Sequence, residues 1–318
     1  MSVAGRAAVL GLALAVVGCV EPTPEDSTEE GETTKARTDS RLVVAVVNHP
    51  LEYFAQRIGG DAVEVLFSAP AGADPATWSP GADIVGAYQQ ADLIFLNGIG
   101  YASWVERSSL PASRIVDTSA GLADRLIPIE GSVTHSHGTE GEHSHPSLAP
   151  TVWLDPGLAS AQAAAIAAAL AEAHPAVADE FQRRVGELES DLRSLDERLM
   201  LVAEGIADEP VLFSQPVYQY LIRRYGLRAR ALDWQSDEVP DEVAWRRLDR
   251  LLEEYGARWM VWDSEPSAVV TRELLQRGVE SLVFELAANR PSEGDFLAQM
   301  RVNVARFEAA FSALDSAP

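Results

Sequence analysis

The chain has 318 residues, 47% of them hydrophobic and 23% charged, which is enough apolar material for two cores rather than one. Asp and Glu outnumber Lys and Arg by 48 to 25, a formal charge of −23. That excess argues against nucleic acid and anionic lipid head groups as partners of the protein surface and accommodates cationic ligands. A single cysteine excludes an intrachain disulfide.

Arg6 precedes an apolar run over 7–17 that closes on Val16-Val17-Gly18-Cys19. The run is too short to span a bilayer and has the length of a signal-peptide core. It resembles a bacterial lipoprotein signal with its lipobox, which implies that residues 1–19 are a signal peptide ending at a lipidated Cys19, the new N-terminus. Residues 20–40 hold no aromatic side chain, and Val20 is their one aliphatic side chain larger than alanine. Such a stretch cannot bury enough apolar surface to fold and reads as a flexible acidic tether. No later stretch is apolar enough to cross a membrane, so the expected location is extracytoplasmic, held through Cys19 on a bacterial membrane, on the periplasmic side where there are two.

The folded part opens with a continuous aliphatic run over 42–47, the pattern of a buried parallel strand, broken at Asn48-His49-Pro50. A helix follows to Ile58, Gly59-Gly60-Asp61 turns the chain into a strand over 63–67, and a Pro- and Gly-rich loop occupies 69–80. A helix ending near Ala91, a strand over 92–97, a short helix around Trp104 and a strand over 114–117 complete a first series. Beyond residues 134–146, Asp155-Pro156 combines a capping carboxylate with proline at the first helical position. That Ala-rich helix stops at Pro175, where another begins. In it Phe181, Val185, Leu188, Leu192, Leu195 and Leu199 recur at steps of four and three, along one face of a helix of nearly thirty residues.

A second series alternates strands over 211–214, 228–232, 258–262 and 281–284 with helices ending at Tyr225, Tyr255 and Arg277 and a last helix over 293–314. The expected fold is therefore α/β: two lobes, 41–174 and 206–318, each a parallel sheet sandwiched by helices, joined by one long rigid helix over 175–205, with a cleft between them. Ligands of such sheets sit beyond the carboxyl ends of the strands, in the loops after Val47, Phe67, Asn97, Leu212, Trp262 and Phe284.

The chemistry concentrates in T-H-S-H-G-T-E-G-E-H-S-H-P. Four of the six histidines, His135, His137, His143 and His145, fall there within eleven positions, beside Glu140 and Glu142. Imidazole with carboxylate suits Zn²⁺ or a similar borderline ion. The surrounding Gly, Ser and Pro predict a mobile loop.

Several segments in order resemble a metal-ion solute-binding lipoprotein of a bacterial ABC importer, of the zinc and manganese class. They are P-L-E-Y-F-A-Q-R-I-G-G-D (50–61), G-A-D-P-A-T-W-S-P (72–80), A-D-L-I-F-L-N-G (91–98), V-W-L-D-P (152–156), Y-Q-Y-L-I-R-R-Y-G-L (218–227) and G-D-F-L-A-Q-M-R-V-N-V (294–304). The resemblance implies a monomeric binding protein that presents Zn²⁺, or else Mn²⁺, as transported ligand to a cognate ABC permease, with no organic cofactor. It also implies three cleft histidines, and at those positions this chain has Ala76, Thr151 and Gln215. The fourth ligand, an acid after the last strand, corresponds to Glu285.

Three readings follow. The loop histidines fold into the cleft and join Glu285, with His49, Asp263, Glu265 or Gln215 beside them; or the cleft has lost metal and Trp78, Tyr101, Trp104, Tyr218 and Trp234 line a pocket for a metal chelate or small cation; or the loop alone scavenges zinc. An enzyme is not expected, and a metallohydrolase ranks last, because the chain has no G-x-S-x-G, H-E-x-x-H or G-x-x-x-x-G-K.

Overall fold

The computed structural model describes residues 41–136 and 142–312, with side chains over 41–129 and 148–311. Strand β1, Leu42–Val46, leads into helix α1, His49–Gly59, where the Asn48 side chain accepts the Leu51 N–H at 3.1 Å and Pro50 lies in the first turn. Strand β2 (Val63–Leu66), helix α2 (Ala82–Gln90), β3 (Leu93–Leu96) and β4 (Ile115–Asp117) follow. The four strands form an all-parallel sheet in the order β2-β1-β3-β4, with Leu42 opposite Val63 and Val44 opposite Leu93.

The histidine stretch departs from its sequence reading. Instead of a loop, Pro128–Ser136 (β5) and Glu142–Leu148 (β6) pair as an antiparallel hairpin, with a register irregularity between Pro128 and Ser132. A ladder satisfies backbone donors and acceptors whatever side chains it carries, so polar composition does not forbid a strand.

Helix α3, Pro156–Ala173, starts as expected, the Asp155 carboxylate accepting from the N–H groups of Gly157 and Leu158. Pro175–Val177 makes a 3-10 turn, and helix α4 runs over Ala178–Gly205, 28 residues. Phe181, Val185, Leu188, Leu192, Leu195 and Leu199 are all buried, each contributing at most about 1.5–3 kcal/mol. Ion pairs on the polar flank join α4 to its neighbours: Asp191 to Arg57 of α1 at 2.9 Å and Asp196 to Arg224. Their partly exposed settings make them minor beside the apolar stripe.

The second lobe contains β7 (Val211–Phe213), α5 (Gln219–Tyr225), β8 (Ala229–Ala231), α6 (Glu242–Tyr255), β9 (Trp259–Trp262), α7 (Ala268–Gln276), β10 (Glu280–Val283) and α8 (Phe296–Ser312). Its strands form another parallel sheet, ordered β10-β9-β7-β8. The last helix begins later than its sequence reading because Asp295 caps it, accepting the Ala298 N–H at 2.8 Å. Strand alternation divides the lobe. Phe213 and Val261 join the main core with α4 and α8, whereas Leu212, Met260 and Trp262 join a smaller core with Leu248, Val270 and Leu274 of α6 and α7. Among the described residues no helix is long and apolar enough to cross a membrane.

The loops beyond the strand ends of the two lobes meet directly. After β10, Ala288 accepts the His49 N–H at 2.9 Å, and Asn289 donates to the carbonyls of Pro70 and Ala73, each at 2.7 Å.

Candidate functional site

The first loop of the cleft is shaped by Asp74, which accepts the Ala76 N–H at 3.0 Å and the Thr77 hydroxyl at 3.1 Å. Ala76 packs partly buried against the main core and presents no donor. Thr151 follows β6 and is 3% exposed; its hydroxyl donates to the carbonyl of Val217 in the other lobe. Two residues on, the Trp153 indole donates to the Leu286 carbonyl at 2.8 Å. Where the resemblance implies a metal ligand, direct bonds across the lobes stand instead.

Gln215, after β7, donates its amide to Gln235 Oε1 at 2.9 Å and to Asp263 Oδ2 at 3.4 Å. The other oxygen of Asp263 is buried without a partner. Burial raises the Asp263 carboxyl above its ordinary value, the nearby charge of Asp237 adding to it, against the lowering effect of backbone N–H groups at 263 and 264. Glu265 is exposed. Glu285, after β10, pairs with Arg306 at 3.2 Å, and its backbone is held by Asn303.

His49 is buried at the start of α1, with Nδ1 2.9 Å from Glu52 Oε2. Burial alone would raise the Glu52 carboxyl, but hydrogen bonds from His49 and Arg290 outweigh it and hold it below the ordinary range. An ionised Glu52 only accepts, so Nδ1 of His49 carries the proton and the buried Nε2 is left without a partner. Arg290, which no sequence motif marks, grips both Glu52 oxygens through Nε at 3.1 and 3.0 Å and donates to the Phe67 carbonyl at 3.1 Å.

Among the described residues, no three His, Cys, Asp or Glu converge to hold a metal ion. His49, Asp263, Glu265 and Glu285 thus make no such group by themselves, and the loop histidines that the rearranged cleft calls for lie outside the described side chains. The aromatic pocket is corrected too. Tyr101, Trp104 and Tyr218 are 6%, 3% and 0% exposed and belong to the main core, Trp78 packs against it, and Trp234 is buried in the smaller core of the second lobe. The first three pack on Trp153, Tyr88 and Phe284.

The histidine hairpin is rooted at the lobe boundary. The Tyr220 hydroxyl of α5 accepts the Ile127 N–H at 3.3 Å, just before β5. In the ladder His135 lies opposite His143, and Val133 lies opposite His145. Alternate residues of a strand share a face, so His135, His143 and His145 occupy register positions on one side of the ribbon. His137 lies outside the described residues.

Comparison with known proteins agrees with this architecture. The family model described as zinc-uptake complex component A, periplasmic, matches residues 43–310. The manganese ABC transporter substrate-binding lipoprotein PsaA of Streptococcus pneumoniae is 26% identical over 226 residues, 67% of this chain and 69% of that protein. The metal-dependent lipoprotein YcdH of Bacillus subtilis shares the fold with a TM-score of 0.73 at 20% identity, over 86% of this chain and 98% of that one. The Zn(II)-bound ZnuA-like domain of Streptococcus pneumoniae AdcA does so with a TM-score of 0.69 at 18% identity, over 86% and 98%. The two α/β lobes, their stiff connecting helix and the match across nearly the whole folded region lead to one assignment: the chain belongs to the family of the periplasmic zinc-uptake component A.

Proposed function

We propose that this protein is the extracytoplasmic substrate-binding component of an ABC importer, anchored through Cys19, and that it captures a divalent metal ion, zinc before manganese, on its histidine hairpin. The observation that carries this reading is the pairing of His135 with His143 and the placing of His145 on the same side of the ribbon. Three imidazoles suffice for zinc, and a nitrogen-rich set favours zinc over the harder manganese ion. The hairpin that carries these histidines is rooted beside Tyr220 of the other lobe, so a loaded hairpin would be offered to a permease from the side where the lobes meet. Family resemblance supports binding and delivery rather than turnover.

The test is calorimetry with Zn²⁺ on the full chain and on a variant with His135, His143 and His145 replaced by alanine. Binding that the variant loses supports the proposal, and absence of heat from the parent chain sinks it. Unchanged affinity in the variant would move the ion elsewhere. A second reading, a cleft that has given up metal, is favoured by the Thr151 hydroxyl being engaged with Val217. Silence towards zinc would favour that reading.

A further inference from the structure

The C-terminal lobe carries an open pocket of about 530 Å³ between the segment after β8 and the first two turns of α6. That volume lies within the range of small-molecule sites, roughly 300–1,000 Å³. Its charges are not arranged like those of the surrounding surface. Nearby arginines are engaged: Arg246 with Glu242 at 3.2 Å, and Arg277 with Asp249 at 2.8 Å while lying over the Trp245 ring. Arg247, one residue beyond Arg246, makes no ion pair or hydrogen bond among the described residues, and neither do the carboxylates of Asp233 and Glu238. All three residues line the same pocket.

One aromatic residue lines the same pocket. Trp234 is 8% exposed, packs edge-on against Trp245 with ring centroids 5.0 Å apart, and lines the pocket; its indole N–H has no acceptor among the described residues. Val243, 62% exposed, adds apolar surface on the α6 side. Asp241 also lines the pocket, but it is engaged as the cap of α6, accepting the Ala244 N–H at 2.7 Å. The lining thus offers three carboxylates against one guanidinium, together with Trp234 and Val243. A bare metal ion finds no converging ligand set here. An apolar molecule would leave the charges unanswered, and a plain anion would meet an excess of like charge.

We propose that this pocket binds a basic α-amino acid: its ammonium groups meet Asp233 and Glu238, its carboxylate meets Arg247, and its aliphatic stem crosses Trp234 and Val243. A planar guanidinium suits a carboxylate, and the apolar surface of Trp234 and Val243 suits an alkyl stem. The site is independent of metal capture by the hairpin.

The experiment is calorimetry on the full chain with L-lysine and L-arginine, and with L-glutamate and putrescine as comparators. At least one basic amino acid binds, L-glutamate does not, and putrescine binds more weakly because it lacks the carboxylate. Arg247→Ala and Asp233→Asn each weaken the basic amino acid at least about tenfold, the loss of one charge-assisted contact. Both side chains are exposed and unpaired, so melting temperatures stay at the parent value and folding does not confound the result. No heat from either basic amino acid, equal binding of L-glutamate or putrescine, or parent-like affinity in both variants overturns the proposal. Zinc titrated alone behaves identically in parent and variants, so the metal reading is judged separately.

Discussion

Arg290 and Glu52 lie 238 residues apart in sequence and form a fork of hydrogen bonds across the two lobes. Glu52 is 3% exposed and belongs to α1, whereas Arg290 follows the last strand of the other lobe. The segment carrying Arg290 therefore acts as a strap over the end of the first sheet.

Removing the arginine leaves a buried carboxylate with only His49 and Gln56 for partners among the described residues. Breaking a buried pair costs about 3–5 kcal/mol, and the half-exposed guanidinium lowers the expected loss for Arg290→Ala to about 2 kcal/mol. Arg290→Lys recovers only part, because an ammonium cannot reproduce the fork. Urea denaturation of both variants measures this, and parent-like stability for Arg290→Ala would show that the strap contributes nothing.

The same pair sets a pH dependence. The folded state holds the Glu52 carboxyl below its ordinary value of 4.5. A depressed carboxyl contributes stability that is fully present above the unfolded pKa and disappears as pH falls through the folded one. Melting curves of the parent and Glu52→Gln should differ most near neutrality and draw together below the ordinary carboxylate range. A constant gap across the acid range would assign the effect to packing.

Thr151 tests the direct lobe-to-lobe contact. Thr151→Val keeps the shape and leaves the Val217 carbonyl without its donor. The expected cost is about 1–2 kcal/mol. A variant as stable as the parent would mean that water replaces the hydroxyl.

The connecting helix should be sensitive to cavities. Leu188 is 0% exposed on the buried stripe of α4. Leu188→Ala should cost about 2–5 kcal/mol, whereas exposed Leu201, on the same helix, should tolerate alanine within about 0.5 kcal/mol. Equal losses at the two positions would contradict the packing described for α4.

Zinc affinity should fall as pH drops through about 6.5, because imidazole must be neutral to coordinate. Calorimetry at several pH values checks this. Flat affinity across that range would point to carboxylate ligands.

Local pattern alone determined much of this protein. The aliphatic runs marked the strands, the steps of four and three marked the buried face of α4, and Asp155-Pro156 marked the start of α3, because propensity, capping and periodicity act between residues a few positions apart. The order of motifs was likewise enough to identify the family. Tertiary structure decided what those rules do not reach. It turned a polar histidine stretch into a hairpin, because the pairing partner supplies the backbone bonds that composition cannot reveal. It sent Tyr101, Trp104 and Tyr218 into the main core and Trp234 into the smaller core of the second lobe, since which loop aromatics are buried is decided only when distant elements pack. It also joined Glu52 to Arg290 and Thr151 to Val217, contacts whose distance in sequence hides them from any local reading.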